Sequence, residues 1–400
     1  MERLSSPAPP SPATLAERFT SQLLVGAPAR DPLEVTRRLL AVQGQDPRGA
    51  RLAIRARSAG LTAADVDREL TERRSLLITW LNRGTLHLVA SEDYPWLHAL
   101  TTPPLFTASA RRLAQEGVPP GDAERGVSAI ERSLIAEGPL TRAQLAERIA
   151  VEGVRTEGQA LVHLLLLASL RGIAVRGPMV ARDHAYVHVR DWLGESRPVE
   201  RDQALAELAR RYLAGHGPAS ERNLAKWAGL PLRDARAGLA AIATELDERE
   251  DGTVALIDAP ASRRATKRRS ATRHTTTSAP SARAPGERSA GELPPPRLLG
   301  PYDPLLLGWS SRAALLGAHK GIVTVNGLFR PFALVEGRAV AIWRMSSGEV
   351  QIEPLSPIAP ADAAALQAEA SDVVRFMNGA GGPGDGPAHR AGHARSTARD

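Results

Sequence analysis

A segment that occurs twice constrains this chain more than any other feature. Residues 138–147 read GPLTRAQLAE, and residues 217–226 read GPASERNLAK. They match as G-P-x-[ST]-x-x-[QN]-L-A at an offset of 79 residues. Each copy has the grammar of a helix start: a Gly-Pro loop, a hydroxyl residue placed to cap (Thr141 or Ser220), an amide three residues on, and an apolar position after it. An amphipathic helix is expected before each copy, at about 122–137 and 200–215. A second helix should follow each, beginning near Thr156 and Leu232. Each block then ends in strand-like pieces, IAVRG with AYVHVRDW and ELDE with TVALID. Helix, helix, turn, helix and hairpin is the order of a winged helix, a variant of the helix-turn-helix.

Residues 14–90 follow a similar plan with one extra helix. A helix is expected over about 14–25. In DPLEVTRRLLAV, Asp31 can be the N-cap, Pro32 suits the first helical position and Glu34 completes a capping box. Asp46 precedes Pro47, which pushes it out of the α region, so this helix should end near Gln43–Gln45. Another covers about 48–59, and Thr62 with Asp65 cap one more. SLLITW and TLHLVA, joined by LNRG, read as a β-hairpin, and Ser91 caps a short helix to about Leu100. The fold class is therefore α+β, mainly α, with three tandem winged-helix units and a small C-terminal β-containing module. The expected boundaries are a disordered 1–13, units at 14–101, 122–190 and 200–258, a basic disordered linker at 259–296, a module at 297–375 and a flexible tail at 378–400. In the module, FRPFALVEGRAVAIW is a hairpin turning at Glu336-Gly337.

Charge sharpens the organisation. Residues 261–290 hold eight Lys/Arg and one acidic residue, which equals the net charge of +7 of the whole chain. The other 370 residues balance at 43 basic and 43 acidic, so any basic face on the folded parts must arise by segregation. With zero cysteines, disulfides, thiol nucleophiles and Cys-ligated metals are excluded. No H-E-x-x-H segment occurs, and neither metal nor cofactor is expected. The longest apolar run, near Leu161–Leu170, is too short to span a membrane. The N-terminus lacks an apolar signal core. A cytoplasmic protein with no membrane partner is the expectation.

A reading helix must show polar residues to base edges. The helix after Thr156 is mostly apolar and should be buried scaffold. The third block offers Arg233 and Arg236, with Lys226 and Trp227 nearby. The first hairpin offers Arg83 at its turn and His87 on a strand. Arg48 and Arg330 complete the candidate DNA contacts. The segment AVQGQDPRGARLA (41–53) places two amides, Gln43 and Gln45, at a helix break. In an extended segment, residues i and i+2 point the same way, so flexible Gly44 and the Asp46-Pro47 step would let the two amides converge. Equally, they could bond the orphan carbonyls at the helix end.

The chain resembles the AlkZ-like family of winged-helix DNA glycosylases. The matching pieces are LLAVQGQDPRGARLAIRAR, TWLNRGTLHLVASEDYPWL, GPLTRAQLAE, YDPLLLGW and FRPFALVEGRAVAIW, spread over about residues 15–345. The resemblance implies hydrolysis of the N-glycosidic bond of alkylated purines, including interstrand crosslinks. The family's Gln-apolar-Gln motif falls on Gln43 and Gln45, which would be catalytic; Gly44 departs from the larger central residue. A neutral glutamine is a poor general base, but its carbonyl can position water and stabilise an oxocarbenium-like sugar. Such a site suits cationic adducts, which leave without protonation. The expected partner is double-stranded DNA, alkylated or crosslinked, bound by a monomer. The alternative is a non-catalytic winged-helix DNA-binding protein of the regulator type, and a third is an interaction scaffold.

Overall fold

The computed structural model describes residues 10–181, 183–195, 199–257, 291–319 and 321–379. The basic segment 261–290 and the tail from 380 lie outside them. Ser11 caps helix α1 (Pro12–Ser21), its hydroxyl accepting from the Thr14 amide at 3.1 Å. Helix therefore begins inside the segment expected to be disordered, because a Ser-Pro pair supplies a cap and a preset first turn. Asp31 caps α2 (Pro32–Leu39), accepting from the Leu33 amide at 2.8 Å. Glu34 reaches the Arg30 amide rather than that of Asp31, so no reciprocal box closes there.

The helix ends earlier than the sequence suggested. Leu40 adopts φ +64°, and the chain turns into strand β1 (Val42–Gln43) instead of continuing to Gln45. Helix α3 (Pro47–Arg55) follows, capped by Asp46, then α4 (Ala63–Thr71), with the Thr62/Asp65 capping box. Strands β2 (Leu76–Leu81) and β3 (Thr85–Ala90) form the expected hairpin, and α5 (Tyr94–Thr101) leads away from it. Helix α6 (Phe106–Gln115) carried no start signal and was not expected.

The repeated block appears twice. Helices α7 (Pro120–Glu137), α8 (Arg142–Val151) and α9 (Ala160–Leu170) precede β4 (Ala174–Val180) and β5 (Asp183–His188). Helix α9 starts four residues after Thr156, since Gly158 sits at φ +61° in the preceding turns, and is buried as expected. The VRDW end of the second strand-like piece is the short helix α10 (Val189–Leu193). The second copy is α11 (Arg201–His216), α12 (Glu221–Ala228), α13 (Leu232–Ala241), β6 (Leu246–Glu248) and β7 (Val254–Leu256). Thr141 and Ser220 both cap, accepting at 3.3 and 3.4 Å. The residue before each cap bridges the second strand of its own hairpin: Leu140 with Tyr186, and Ala219 with Val254. The 79-residue offset thus survives in three dimensions. In the first block β1 takes the same place, pairing Val42 with Leu88 and Gln43 with His87.

Two of the hairpins are not separate wings. Ile78 on β2 pairs with Arg176 on β4, which joins them into one antiparallel sheet, β1-β3-β2-β4-β5. Alternation then sorts its side chains. Val42, Ile78, Trp80, Leu86 and Leu88 pack on one face with α2–α4 and α7–α9. Leu77, Leu81 and Val89 pack on the other with α5, α11 and α12. Both faces are covered, so all six residues of β2 are buried.

The C-terminal part adds a second sheet, β8 (Arg297–Leu299), β9 (Phe332–Val335), β10 (Arg338–Ser346) and β11 (Glu349–Pro354), in the order β11-β10-β9-β8, and a long helix over Pro360–Asn378. Glu336 and Gly337 turn the hairpin at φ +48° and +74°. The segment YDPLLLGW locks this part to the rest. Asp303 receives both Arg57 Nη atoms at 2.8 and 2.9 Å, and neither side chain is exposed. Arg57 also donates to Gln22 Oε1 at 2.8 Å, and Gln22 Nε2 donates to His216 Nδ1 at 2.8 Å. His216 completes the chain by donating from Nε2 to the Leu39 carbonyl. A buried charge pair is stabilising only when its remaining donors and acceptors are satisfied, and here they are. Helices predominate and the strands form small antiparallel sheets. Among the described residues, no helix is long and apolar enough to cross a membrane.

Candidate active site

Gln43 and Gln45 come together because the chain there is extended. The Gly44 amide donates to the Leu86 carbonyl at 2.7 Å, carrying the β1–β3 pairing past Gln43. Both glutamines therefore lie on the face of the sheet that also bears Thr85 and His87. Gln43 Nε2 donates to Gln45 Oε1 at 2.5 Å. Gln43 is buried at 6% exposure, whereas Gln45 is exposed. Neither amide caps α2. Asp46, which follows Gln45 in the chain, caps α3 instead, accepting from the Gly49 amide at 2.9 Å.

The amide pair lies at a cleft of about 320 Å³, also lined by Arg83, Thr85 and Lys226 and, across the gap, by Tyr302, Trp309, Arg312 and Phe329. The Tyr302 and Phe329 rings stand 5.3 Å apart, and the Arg312 guanidinium lies 5.0 Å over Phe329. Arg83 at the hairpin turn donates to the Trp227 and Lys226 carbonyls. That docking depends on Gly229, where a Cβ would stand 2.9 Å from the Asn82 carbonyl. Burial holds the Arg83 guanidinium below its ordinary value, with neighbouring Arg312 pushing the same way. Three cations face a small space that, among the described residues, has no carboxylate in its lining, an arrangement that attracts a phosphate.

His87 is buried at 3% exposure directly across from Gln43. Its Nδ1 donates to the Thr85 carbonyl at 2.8 Å. Burial, aided by the Arg83 charge, lowers its pKa to about 3. Of the other candidates, Arg83 and Lys226 join the amide pair. Arg48 lines a different and larger groove of about 1,250 Å³ with Arg51, Arg142 and Arg176, where Asp46, Asp67 and Asp183 offset the charge. Arg330 lies beside Trp343 and Arg344 in a third depression. Arg233 is exposed on α13, and Arg236 is held by Glu221 through two contacts of 2.8 Å. Sequence reasoning did not single out Tyr302, Arg312 or Phe329. The YDPLLLGW motif contains the first of them, but nothing local tells that it faces residue 43. Among the described residues, no group of three or more His, Asp or Glu side chains could hold a metal ion.

The Interstrand DNA cross-link repair glycosylase of Streptomyces sahachiroi is 25% identical over 381 residues, covering 90% of this chain and 94% of its own length. The solved structure of Streptomyces sahachiroi DNA glycosylase AlkZ matches with a TM-score of 0.68 at 23% identity, over 91% of this chain and 96% of that one; at that identity the likeness is one of fold. The family model described as DNA glycosylase AlkZ-like matches residues 36–376, from α2 to the last helix. The chain belongs to the AlkZ-like DNA glycosylase family.

Proposed function

We propose that this protein is a DNA-repair glycosylase, a monomer that hydrolyses the N-glycosidic bond of cationic, alkylated purines in double-stranded DNA, crosslinked guanines among them. The observation that carries it is the convergence of Gln43 and Gln45 at a cleft whose lining, among the described residues, holds no carboxylate. An N-alkylated purine is already positive. Its glycosidic nitrogen takes the bonding pair and the base departs neutral, so no acid is needed. The sugar is left as an oxocarbenium-like cation, which amide carbonyls stabilise and which water attacks at C1′. Tyr302 and Phe329 offer ring faces to an extruded base, and Arg83, Lys226 and Arg312 suit the flanking phosphates. Beside the cleft, the turn Val325-Asn326-Gly327-Leu328 presents exposed Val325 and Leu328, an apolar wedge suited to a base step.

The three blocks serve as winged-helix units, at 14–101, 122–190 and 200–258, followed by the 259–296 linker and the C-terminal module, whose last helix runs to Asn378 rather than stopping at 375. Arg48, Arg233, Arg236 and Arg330 would contact the duplex away from the cleft, in a cytoplasmic setting. Base release from duplex DNA carrying N7-methylguanine tests the reading. Gln45→Ala should slow release by about 10²-fold while leaving DNA binding unchanged, since phosphate contacts carry the affinity. Wild-type protein that binds this DNA yet releases no base would leave a non-catalytic DNA-binding protein in its place.

A further inference from the structure

The sheet face beneath the cleft carries a buried polar row in apolar surroundings. Gln43 on β1, His87 on β3 and Thr79 on β2 are successive cross-strand partners. Their neighbours on that face, Leu77, Leu81 and Val89, belong to the core shared with α11 and α12. Polar side chains placed in such a core cost stability unless something bonds them. Yet Thr79 Oγ1 and Thr85 Oγ1 are buried without a protein partner among the described residues. Gln43 Oε1 likewise receives no hydrogen from any described residue. The row is built for a group that the protein does not itself supply.

His87 settles which kind of group fits. A carbonyl only accepts, so the contact with Thr85 requires the proton on Nδ1. In the neutral ring Nε2 is then a bare acceptor. Across the strand pair, the Gln43 carboxamide spends a hydrogen on Gln45, which leaves its Oε1 as a second acceptor. Cross-strand partners on one face stand about 5 Å apart at Cβ, a spacing at which one small molecule can touch both.

We propose that His87 is a catalytic residue: its Nε2 and Gln43 Oε1 grip the attacking water by accepting both of its hydrogens, which turns the water's lone pair toward C1′ in the cleft. This rests on the glycosylase reading above. As the glycosidic bond breaks, its electron pair leaves with the neutral base and the water oxygen bonds to C1′. The oxonium then gives one proton to Nε2, which passes it to solvent, and the product is an abasic site. Burial suits the task, because a pKa of about 3 keeps the imidazole an acceptor at working pH.

A nucleophile held by two acceptors must bring two O–H hydrogens, and methanol brings one. The test is single-turnover release of 7-methylguanine from N7-methylguanine duplex DNA in water with added methanol, measuring the ratio of methyl glycoside to abasic product. Wild-type protein should give a ratio well below that of spontaneous depurination in the same solvent. His87→Phe should release base at least tenfold more slowly, at unchanged DNA affinity, and its product ratio should rise toward the spontaneous value. His87→Gln, which restores an acceptor carbonyl, should recover part of the rate. A wild-type ratio equal to the spontaneous one overturns the proposal without any variant, so a misfolded His87→Phe leaves the test intact. A His87→Phe protein as fast as wild type overturns it too. In either case base release by the wild type would leave the glycosylase reading standing, whereas no release at all would remove both.

Discussion

Acidification should destabilise this protein well above the pH at which its carboxylates titrate, and the size of the effect follows from three histidines. His87, His184 and His216 are each held from 6.5 down to about 3, mainly by burial. His216 has no spare acceptor, since Nδ1 faces Gln22 Nε2 and Nε2 faces the Leu39 carbonyl. Between pH 6.5 and 3 the unfolded chain binds protons at these rings while the native state does not, so stability rises with pH across that window and falls as it is acidified. At pH 5 an unfolded histidine is almost fully protonated, and each ring then costs about 2 kcal/mol relative to neutral pH. The three together cost about 6 kcal/mol, a large share of the roughly 5–15 kcal/mol that holds a typical protein folded. Urea unfolding at pH 7 and pH 5, followed by tryptophan fluorescence, would read it directly, because Trp227 and Trp309 stand 5.4 and 6.0 Å from the His216 ring. The carboxylates held low by partners, such as Asp65 and Asp372, remain ionised over this range and contribute no loss there. In His216→Asn the pH-dependent loss should shrink by about 2 kcal/mol, whatever the variant's stability at pH 7. Equal unfolding free energies at the two pH values would refute the reasoning.

Three further variants have expected outcomes. Thr141→Ala should cost about 1 kcal/mol in thermal or urea unfolding, because it removes the hydroxyl that accepts from the Gln144 amide and donates to Gln144 Oε1. Ser220→Ala should cost less, since its contact is longer and Asn223 spends its carbonyl on Ser310; a larger loss at Ser220 would contradict the geometry. Gly44→Ala should leave base release near the wild-type rate, because a Cβ there meets the Leu88 amide at 3.5 Å and Ile78 at 3.6 Å, ordinary packing distances. It should also raise stability by a few tenths of a kcal/mol by stiffening the unfolded chain. Loss of base release at intact stability would show that the glycine itself is required.

Much of the architecture was legible because it is written in short-range signals. The duplicated Gly-Pro-x-hydroxyl segment marked two equivalent helix starts, and both caps form as its spacing requires. The Thr62/Asp65 box, the hairpin at LNRG and the turn at Glu336-Gly337 are likewise local, each set by a few adjacent residues. Where local signals were silent, the expectation failed or stopped. No cap announced α6, and Leu40 leaves the helical region although nothing in its identity favours a positive φ. Its conformation is imposed by β1 pairing with β3, a contact between residues more than forty positions apart.

The candidate site divides the same way. The sequence by itself determined that two amides, separated by one small residue and followed by Asp-Pro, stand at a break in the helical pattern. It also determined that an extended chain would turn them to one side. Only the tertiary structure decided what lies on that side. Asp303 and Arg57 meet across 246 positions and bring Tyr302, Arg312 and Phe329 over the glutamines. The lateral pairing of β1, β3 and β2 sets Gln43, His87 and Thr79 in one buried row. Such contacts depend on how whole elements pack and on which buried charges find partners. That is a balance over the entire chain, and no window of a dozen residues contains it.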